Sequence, residues 1–181
     1  MVDKTNSRRD FMKSATLGVA GAMINSHASS YGNILGANDR VRVGIVGYSD
    51  RCRQALIPSF MTHAKELNFD FVAVSDIWSR RRDEGAEAMS KLVGHEIAKA
   101  RNNEELYDRK DVDAVIIATA DFQHALHGVE AVRAGRDAYV EKPMANTMED
   151  AKAIRKAVEE TKRIVQIGSQ RRSGENYIRA Q

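Results

Sequence analysis

The 181-residue sequence is poor in the features that cross-link a small fold or anchor a chain in a membrane. It has one cysteine, two prolines and only 6% aromatic residues, and no apolar run reaches the roughly 20 residues that a membrane-spanning helix needs. A single cysteine forms no intrachain disulfide, and the histidines show no metal-ligand spacing. We therefore expect no disulfide, no metal site and no stable membrane anchor, but one soluble domain with a hydrophobic core.

The sequence also lacks a strong excess of charge of either sign. Its net charge is +3, from 28 basic and 25 acidic residues that are interspersed along the chain. Four of the basic and two of the acidic residues lie within residues 1–28, so most of the excess belongs to that segment. Neither this charge nor the low aromatic content indicates a nucleic-acid partner.

The N-terminus contains a transport signal pattern. Residues 7–13 read S-R-R-D-F-M-K, a twin-arginine pattern, and a short apolar stretch with small residues up to Ala28 follows. We predict that residues 1–28 are a twin-arginine signal peptide and that the protein is periplasmic or otherwise exported. A frayed amphipathic helix is the alternative. Residues 29–39, rich in Ser, Gly and Asn, are predicted to be a linker.

The rest of the chain alternates apolar runs rich in β-branched residues with helical segments. This alternation predicts a parallel sheet covered by helices on both faces, a doubly wound α/β fold. The predicted strands are residues 41–46, 69–74, 114–118, 138–140 and 164–167, and the predicted helices are residues 51–65, 79–92, 103–108, 122–134 and 147–161. Gly135 is expected to end a helix and Thr147 to begin one. Ligands bind beyond the carboxyl ends of such strands, so the residues after each apolar run are the candidate site.

The turn after the first strand is a partial match to the dinucleotide-binding pattern G-x-G-x-x-G. Gly47 occupies the first glycine position, and Ser49 and Cys52 occupy the other two. Both replacements are small, and the N-terminus of the next helix offers backbone N–H groups to phosphate. The pattern alone is equally compatible with an ordinary strand-to-helix turn. Cys52 is expected to be a packing residue, because no base partner for a nucleophile is evident.

Asp76 follows the second strand, where a carboxylate can accept hydrogen bonds from both ribose hydroxyls of a dinucleotide. A carboxylate at this position repels a 2′-phosphate, which favours NAD over NADP. Arg80, Arg81 and Arg82 follow closely and can reverse this preference by pairing with the phosphate, so NADP is not excluded. A helix N-cap is the alternative role for Asp76.

Three longer strings carry a resemblance to a known family. Residues 131–143 read A-V-R-A-G-R-D-A-Y-V-E-K-P, residues 111–119 read D-V-D-A-V-I-I-A-T, and residues 166–172 read Q-I-G-S-Q-R-R. From about Arg40 onward, the chain resembles the N-terminal half of the glucose-fructose oxidoreductase, inositol dehydrogenase and rhizopine catabolism family (Gfo/Idh/MocA). The resemblance implies a Rossmann domain that binds a nicotinamide dinucleotide at residues 40–172. Residues 173–181 would be the start of a second domain, which is otherwise absent.

The resemblance also implies a role for each matched position. The pyrophosphate would be held by Gly47, Tyr48, Ser49, Asp50 and Arg51. Asp76 would hold the adenosine ribose, and Thr119 and His124 would contact the inner face of the cofactor. Alternatively, His124 is simply a first-turn helix residue. Ala120 stands where the family commonly has proline.

The resemblance places Glu141 and Lys142 beside the nicotinamide as catalytic residues. The ammonium of Lys142 would polarise a substrate hydroxyl, while Glu141 or the cofactor orients it. A surface lysine before a proline is the alternative for Lys142.

Together these features predict the cofactor-binding domain of an exported NAD(P)-dependent oxidoreductase that acts on a sugar, a sugar derivative or a polyol. In the family, the second domain supplies the catalytic histidine, the substrate pocket and the oligomer interface, so a homo-oligomer is expected only where that domain is present. A glycoside hydrolase or lyase that uses NAD for transient oxidation is one alternative function. A non-catalytic nucleotide-binding protein is another.

Overall fold

The computed structural model describes residues 40–171 and 175–179, which form alternating strands and helices. The strands are β1 (Val41–Val46), β2 (Phe69–Ser75), β3 (Ala98–Ala100), β4 (Ala114–Ile117), β5 (Asp137–Glu141) and β6 (Val165–Gly168). The helices are α1, which joins a π-helical turn (Cys52–Leu56) to an α-helical turn (Ile57–Met61), α2 (Ser79–Val93), α3 (Asn103–Tyr107), α4 (His124–Arg133), α5 (Met148–Thr161) and α6 (Glu175–Ile178). A 3-10 turn, Asp121–Gln123, leads into α4.

The strands are all parallel and lie in the order β3-β2-β1-β4-β5-β6. The chain moves outward from β1 to β3 and then crosses to the other side of β1 at β4. Because the strand order reverses between β1 and β4, the loops that follow these strands diverge and leave a crevice between them. This topology confirms the predicted doubly wound α/β fold, which is of the Rossmann type.

Apolar side chains are buried on both faces of the sheet. On one face Phe71 packs in a cluster with Ile45 and with Met89 of α2, and on the other Ile117 packs in a cluster with Ile154 of α5. Burying a side chain of this size contributes about 1.5–3 kcal/mol. The two cores hold the strands in fixed register, and they therefore position the loops at the strand ends.

The presence of strand β3 and the end of helix α1 differ from the sequence prediction. The pattern predicts five strands, and β3 is missed because its three residues, Ala-Lys-Ala, include no β-branched side chain. Its partner is β2, at the edge of the sheet. Helix α1 ends at Met61 rather than at residue 65, and residues 62–68 form turns that end with Asn68 at a φ of +47°.

Two predicted helix boundaries are confirmed. The N–H of Asp150 donates to Thr147 Oγ1 at 3.1 Å at the start of α5, and Gly135 adopts a φ of +80° just after α4. The predicted signal peptide and linker, residues 1–28 and 29–39, lie outside the described residues. Among the helices of the described residues, none is long and apolar enough to cross a membrane.

Candidate functional site

A cavity of about 720 Å³ opens at the carboxyl ends of β1, β2 and β4, where the strand order reverses. The predicted phosphate-binding residues 47–51 line it, together with Asp76 and Thr119. His124, Glu141 and Lys142 do not line it. The remaining lining residues are Ser75, Ile77, Trp78, Arg81, Arg101, Asn102, Asn103, Ala118, Ala120, Gln123 and His127.

The turn out of β1 depends on Gly47. Its φ of +87° lies in the left-handed region that favours glycine. A Cβ at this position would lie 2.8 Å from Thr119 Cγ2 and 3.0 Å from the carbonyl oxygen of Ala118. The Gly47 N–H donates to the carbonyl oxygen of Ser75 at 2.8 Å. The turn is therefore held against the ends of both β2 and β4, and its backbone borders the cavity with no side chain in between.

Asp76 is joined to the same turn. Its Oδ2 accepts the N–H of Tyr48 and its Oδ1 accepts the N–H of Trp78, each at 2.8 Å. A carboxylate has about four acceptor positions, so both oxygens can accept a further hydrogen bond from a ribose diol. Trp78, not Asp76, is the N-cap residue of α2, so the alternative helix-capping role of Asp76 is not what the structure shows.

A buried ion pair connects the β1–α1 turn with the end of β5. Glu141 is 2% exposed, and its Oε1 lies 2.8 Å from both Nε and Nη2 of Arg51. Its Oε2 accepts the backbone N–H of Lys142 at 2.8 Å. Both carboxylate oxygens thus have protein partners, and the pair fixes the backbone that carries Lys142. The geometry gives Glu141 a positioning role, while the action of Lys142 on a substrate stays a prediction.

His124 joins the loop after β4 to the segment after Lys142. The residue is 1% exposed, its Nδ1 lies 2.8 Å from the carbonyl oxygen of Pro143, and its Nε2 lies 3.2 Å from that of Thr119. The Lys142–Pro143 peptide bond is cis. Since both ring nitrogens face backbone carbonyls, His124 supports two loops beside the cavity without reaching into it. His124 is also the first residue of α4, which agrees with the alternative prediction that it is a first-turn helix residue.

Thr119 lines the cavity and carries a buried polar atom for which the described residues offer no hydrogen-bond partner. Its Oγ1 is buried and makes no hydrogen bond to any residue that the structure describes. A buried hydroxyl in this state costs about 1–3 kcal/mol, which a ligand with a matching polar group would recover. Together with the Gly47 turn for phosphate and Asp76 for ribose, this donor and acceptor set fits a nicotinamide dinucleotide.

The arginines that line the cavity already have carboxylate partners. Arg81 Nη2 lies 2.8 Å from Asp50 Oδ1, and Arg101 Nε lies 3.0 Å from Glu105 Oε2. Arg51 is held by the buried carboxylate at the end of β5. Within the described part of the chain, a phosphate entering the cavity would therefore compete with an existing ion pair at each lining arginine.

One side of the cavity is not predicted from the sequence. It is formed by Arg101, Asn102 and Asn103 after β3, by Gln123 at the end of the 3-10 turn, and by His127 in α4. The first three follow a strand that has no β-branched residue to indicate it. The other two are four residues apart, which places them on one face of a helix, and this spacing is the signal that could have pointed to them.

Cys52 is fully buried behind the β1–α1 turn, and burial raises the pKa of its thiol to about 12. Almost no thiolate exists near neutral pH under these conditions, which confirms the predicted packing role. In residues 40–171 and 175–179, no group of three or more His, Cys, Asp or Glu side chains is arranged to hold a metal ion.

Comparison with known proteins assigns a family. Residues 41–169 match the Gfo/Idh/MocA model, described as an oxidoreductase family with an NAD-binding Rossmann fold. The chain belongs to this family. It is thus an NAD(P)-binding oxidoreductase domain, and its cofactor is a nicotinamide dinucleotide. The matched range includes every residue that the sequence predicts for the site.

Three relatives illustrate the similarity. Inositol 2-dehydrogenase from Agrobacterium fabrum is 31% identical over 144 residues, which cover 76% of this chain and 39% of that protein. A glycosyl hydrolase family 109 protein from Shewanella baltica is 28% identical over 176 residues, covering 86% of this chain and 38% of that protein. The crystal structure of the WlbA dehydrogenase from Chromobacterium violaceum, in complex with NADH and UDP-GlcNAcA, has a TM-score of 0.66 at 23% identity and shows the same fold over 77% of this chain and 38% of that one. The chain thus spans about two fifths of the length of each relative.

Proposed function

We propose that this chain is the cofactor-binding domain of an exported NAD-dependent oxidoreductase that acts on a sugar, a sugar derivative or a polyol. The observation that carries the cofactor part is the junction of the Gly47 turn with Asp76, which puts a turn for pyrophosphate beside a fixed carboxylate for ribose. The substrate class is supported by the inositol 2-dehydrogenase among the relatives. Export is supported by the twin-arginine pattern of residues 7–13.

The charges around the ribose position favour NAD over NADP. A 2′-phosphate would replace a hydroxyl that Asp76 contacts, and the two negative charges would repel each other. Arg81 is paired with Asp50 at 2.8 Å, and the guanidinium carbon of Arg80 lies 4.0 Å from the ring centroid of Trp78. These arginines would have to leave their present partners to hold the phosphate. NADP is therefore expected to bind more weakly than NAD.

Lys142 is proposed to act on the substrate hydroxyl. When bound, the nicotinamide supplies an acceptor for hydride from the carbon that bears this hydroxyl. Lys142 is exposed at the end of β5, and Glu141 holds its backbone N–H. An ammonium group at this position polarises the hydroxyl and lowers the cost of removing its proton.

Titration of the full chain with NAD, NADH, NADP and NADPH tests the cofactor part. Trp78 is the sole tryptophan in the sequence and lines the cavity, so its fluorescence reports binding. We expect Asp76→Ala to weaken NAD binding about 10- to 100-fold, because charge-assisted hydrogen bonds contribute about 1.5–3 kcal/mol. The loss for NADP should be smaller.

The matched control is Asp70→Ala, which removes a carboxylate at the amino end of the same strand, β2. It should leave both affinities unchanged. If none of the four dinucleotides binds, the cofactor proposal is wrong. If Asp76→Ala weakens NAD and NADP equally, Asp76 does not select between them.

Cell fractionation tests export. We expect the chain with its native N-terminus to appear in the exported fraction, and the double substitution Arg8→Lys and Arg9→Lys to retain it in the cytoplasm, because the twin-arginine pair is the feature that the export machinery recognises. Retention of both forms in the cytoplasm would contradict the signal-peptide prediction.

Hydrolysis of a glycoside through transient oxidation by NAD is a second candidate function. The observation in its favour is the length of the match to the glycosyl hydrolase family 109 protein. It covers 86% of this chain, which is more than residues 40–181 contain, so the similarity extends into the N-terminal segment. Product analysis of the protein with a carbohydrate substrate separates the two candidates. Release of a free sugar without net NADH supports the hydrolase, whereas stoichiometric NADH supports the oxidoreductase.

A further inference from the structure

A hydrogen-bond network of polar side chains lies on the side of the cavity that is not predicted from the sequence. Ser75 Oγ lies 2.9 Å from one amide atom of Asn103, and the other amide atom of Asn103 lies 3.0 Å from His127 Nδ1. Glu130 Oε2 lies 3.0 Å from the same nitrogen of His127. Ser75 is fully buried and His127 is 9% exposed, so these polar atoms lie where unmade hydrogen bonds are costly.

The contact with Glu130 decides which nitrogen of His127 carries the proton. A carboxylate oxygen only accepts, so the 3.0 Å contact calls for an N–H at Nδ1. Asn103 satisfies the same distances when its amide oxygen faces His127 and its amide nitrogen faces Ser75, because the two ends of an amide are interchangeable in position. In the neutral ring Nε2 then carries no proton and is a hydrogen-bond acceptor.

This acceptor is available to a ligand. His127 Nε2 makes no hydrogen bond to residues 40–171 or 175–179, and the His127 side chain lines the cavity beside Asn103. Asn103 follows β3, whereas Asp76 follows β2. In a doubly wound sheet the pyrophosphate lies at the first turn and the ribose at the carboxylate after β2, so the base comes next, on the β3 side.

We propose that His127 recognises the base of the dinucleotide, its unprotonated Nε2 accepting a hydrogen bond from the 6-amino group of adenine. Glu130 is the positioning residue that holds the ring and fixes its tautomer. The proposal rests on the proposed cofactor function and adds a determinant of specificity to it. Hypoxanthine has a 6-oxo group in place of the amino group. Its oxygen and His127 Nε2 are then both hydrogen-bond acceptors, so the hypoxanthine dinucleotide is bound more weakly.

Comparison of NAD with nicotinamide hypoxanthine dinucleotide tests this recognition. Dissociation constants are measured on the full chain by calorimetry and by the fluorescence of Trp78, which lines the cavity. We expect NAD to bind about tenfold more tightly than the hypoxanthine analogue, which is the effect of one hydrogen bond in an enclosed site.

Two substitutions assign the effect to His127 and its tautomer. His127→Phe removes the acceptor and should reduce the preference for adenine to within about twofold. Glu130→Ala changes a partly exposed helix residue, and it leaves Nδ1 to accept from the Asn103 amide, which puts the proton on Nε2. The preference should then vanish or turn toward hypoxanthine. His63→Phe, at an exposed histidine in the turn after α1, is the control and should keep the tenfold preference.

The outcomes separate this inference from the proposed function. Equal affinities for the two dinucleotides in the unaltered chain, or an unchanged preference in both His127→Phe and Glu130→Ala, overturn the role of His127 while the cofactor function stands. If neither dinucleotide binds, the cofactor function itself is wrong, and the inference is wrong with it.

Discussion

Removal of Arg51 leaves a buried carboxylate without its cationic partner. The side chain of Glu141 is 3% exposed, and the Lys142 N–H is then the remaining hydrogen bond to it in the described structure. Truncating one partner of a buried ion pair costs about 3–5 kcal/mol. Because the side chain of Arg51 is itself 41% exposed, water reaches the vacated space, and we expect Arg51→Ala to cost about 3 kcal/mol, the lower end of that range.

A second substitution distinguishes an uncompensated charge from lost packing. Glu141→Gln keeps the shape of the side chain and can still accept the Lys142 N–H, but it carries no charge. If the stranded charge causes the loss in Arg51→Ala, the double variant is less destabilised than the sum of the two single variants. The interaction energy between contacting residues of this kind is about 1–3 kcal/mol.

Urea unfolding followed by Trp78 fluorescence measures these free energies. In thermal unfolding, a loss of about 3 kcal/mol lowers the Tm by roughly 6–12 °C for a chain of this size. Arg155→Ala is the control: it removes an ion pair with Glu159 whose side chains are 80% and 60% exposed, and it should change the free energy of unfolding far less than Arg51→Ala does. If the losses in the two single variants add up to the loss in the double variant to within about 0.5 kcal/mol, the buried ion pair is refuted.

Gly47→Ala should destabilise the fold by at least about 1–2 kcal/mol and weaken NAD binding, because it puts a Cβ 2.8 Å from Thr119 Cγ2 at a φ of +87°; unchanged calorimetric affinity would contradict the role of this turn. The Arg42 guanidinium hydrogen-bonds Asp113 and holds the pKa of that carboxyl below its usual value, so the pair stabilises the folded state above the unfolded pKa of about 3.9, and this contribution is lost as the pH falls through the lower folded value. Asp113→Asn should therefore lower the Tm at neutral pH and lower it progressively less as the pH falls below about 3.9, and an effect that does not change with pH would count against the pairing. The Cys52 thiol, with its pKa raised to about 12 by burial, should react with iodoacetamide only after unfolding, and rapid alkylation of the native chain would show that it is accessible.

The strands that can be predicted from the sequence are those whose own residue types favour a strand. The runs that form β1, β2 and β4 are apolar and rich in β-branched residues because both faces of these central strands are buried. Strand β3 lies at the edge and is formed by Ala-Lys-Ala, which has no intrinsic preference for a strand. Its existence depends on pairing with β2, a tertiary contact that a local pattern does not contain.

The same distinction separates the two sides of the cavity. Gly47, Asp76 and Thr119 follow strands directly, so the topology alone predicts that they meet at one edge of the sheet. His127 and Asn103 meet through a contact between α4 and the first residue of α3, which follows β3. That contact requires the position of β3, so missing the strand also removes the information needed to find this side of the site.

Three side chains that the sequence analysis expects to bind cofactor or substrate also hold the loops of the site to one another. Asp76 holds the Tyr48 N–H, Glu141 holds Arg51, and His124 spans two carbonyls. We therefore expect a substitution at any of these positions to displace a loop as well as to remove a functional group. Loss of activity in a Glu141 or His124 variant therefore does not identify a residue that touches substrate or cofactor. A direct contact is shown by a substitution that changes discrimination between two ligands differing at one atom group while stability is retained, since a displaced loop weakens both ligands alike.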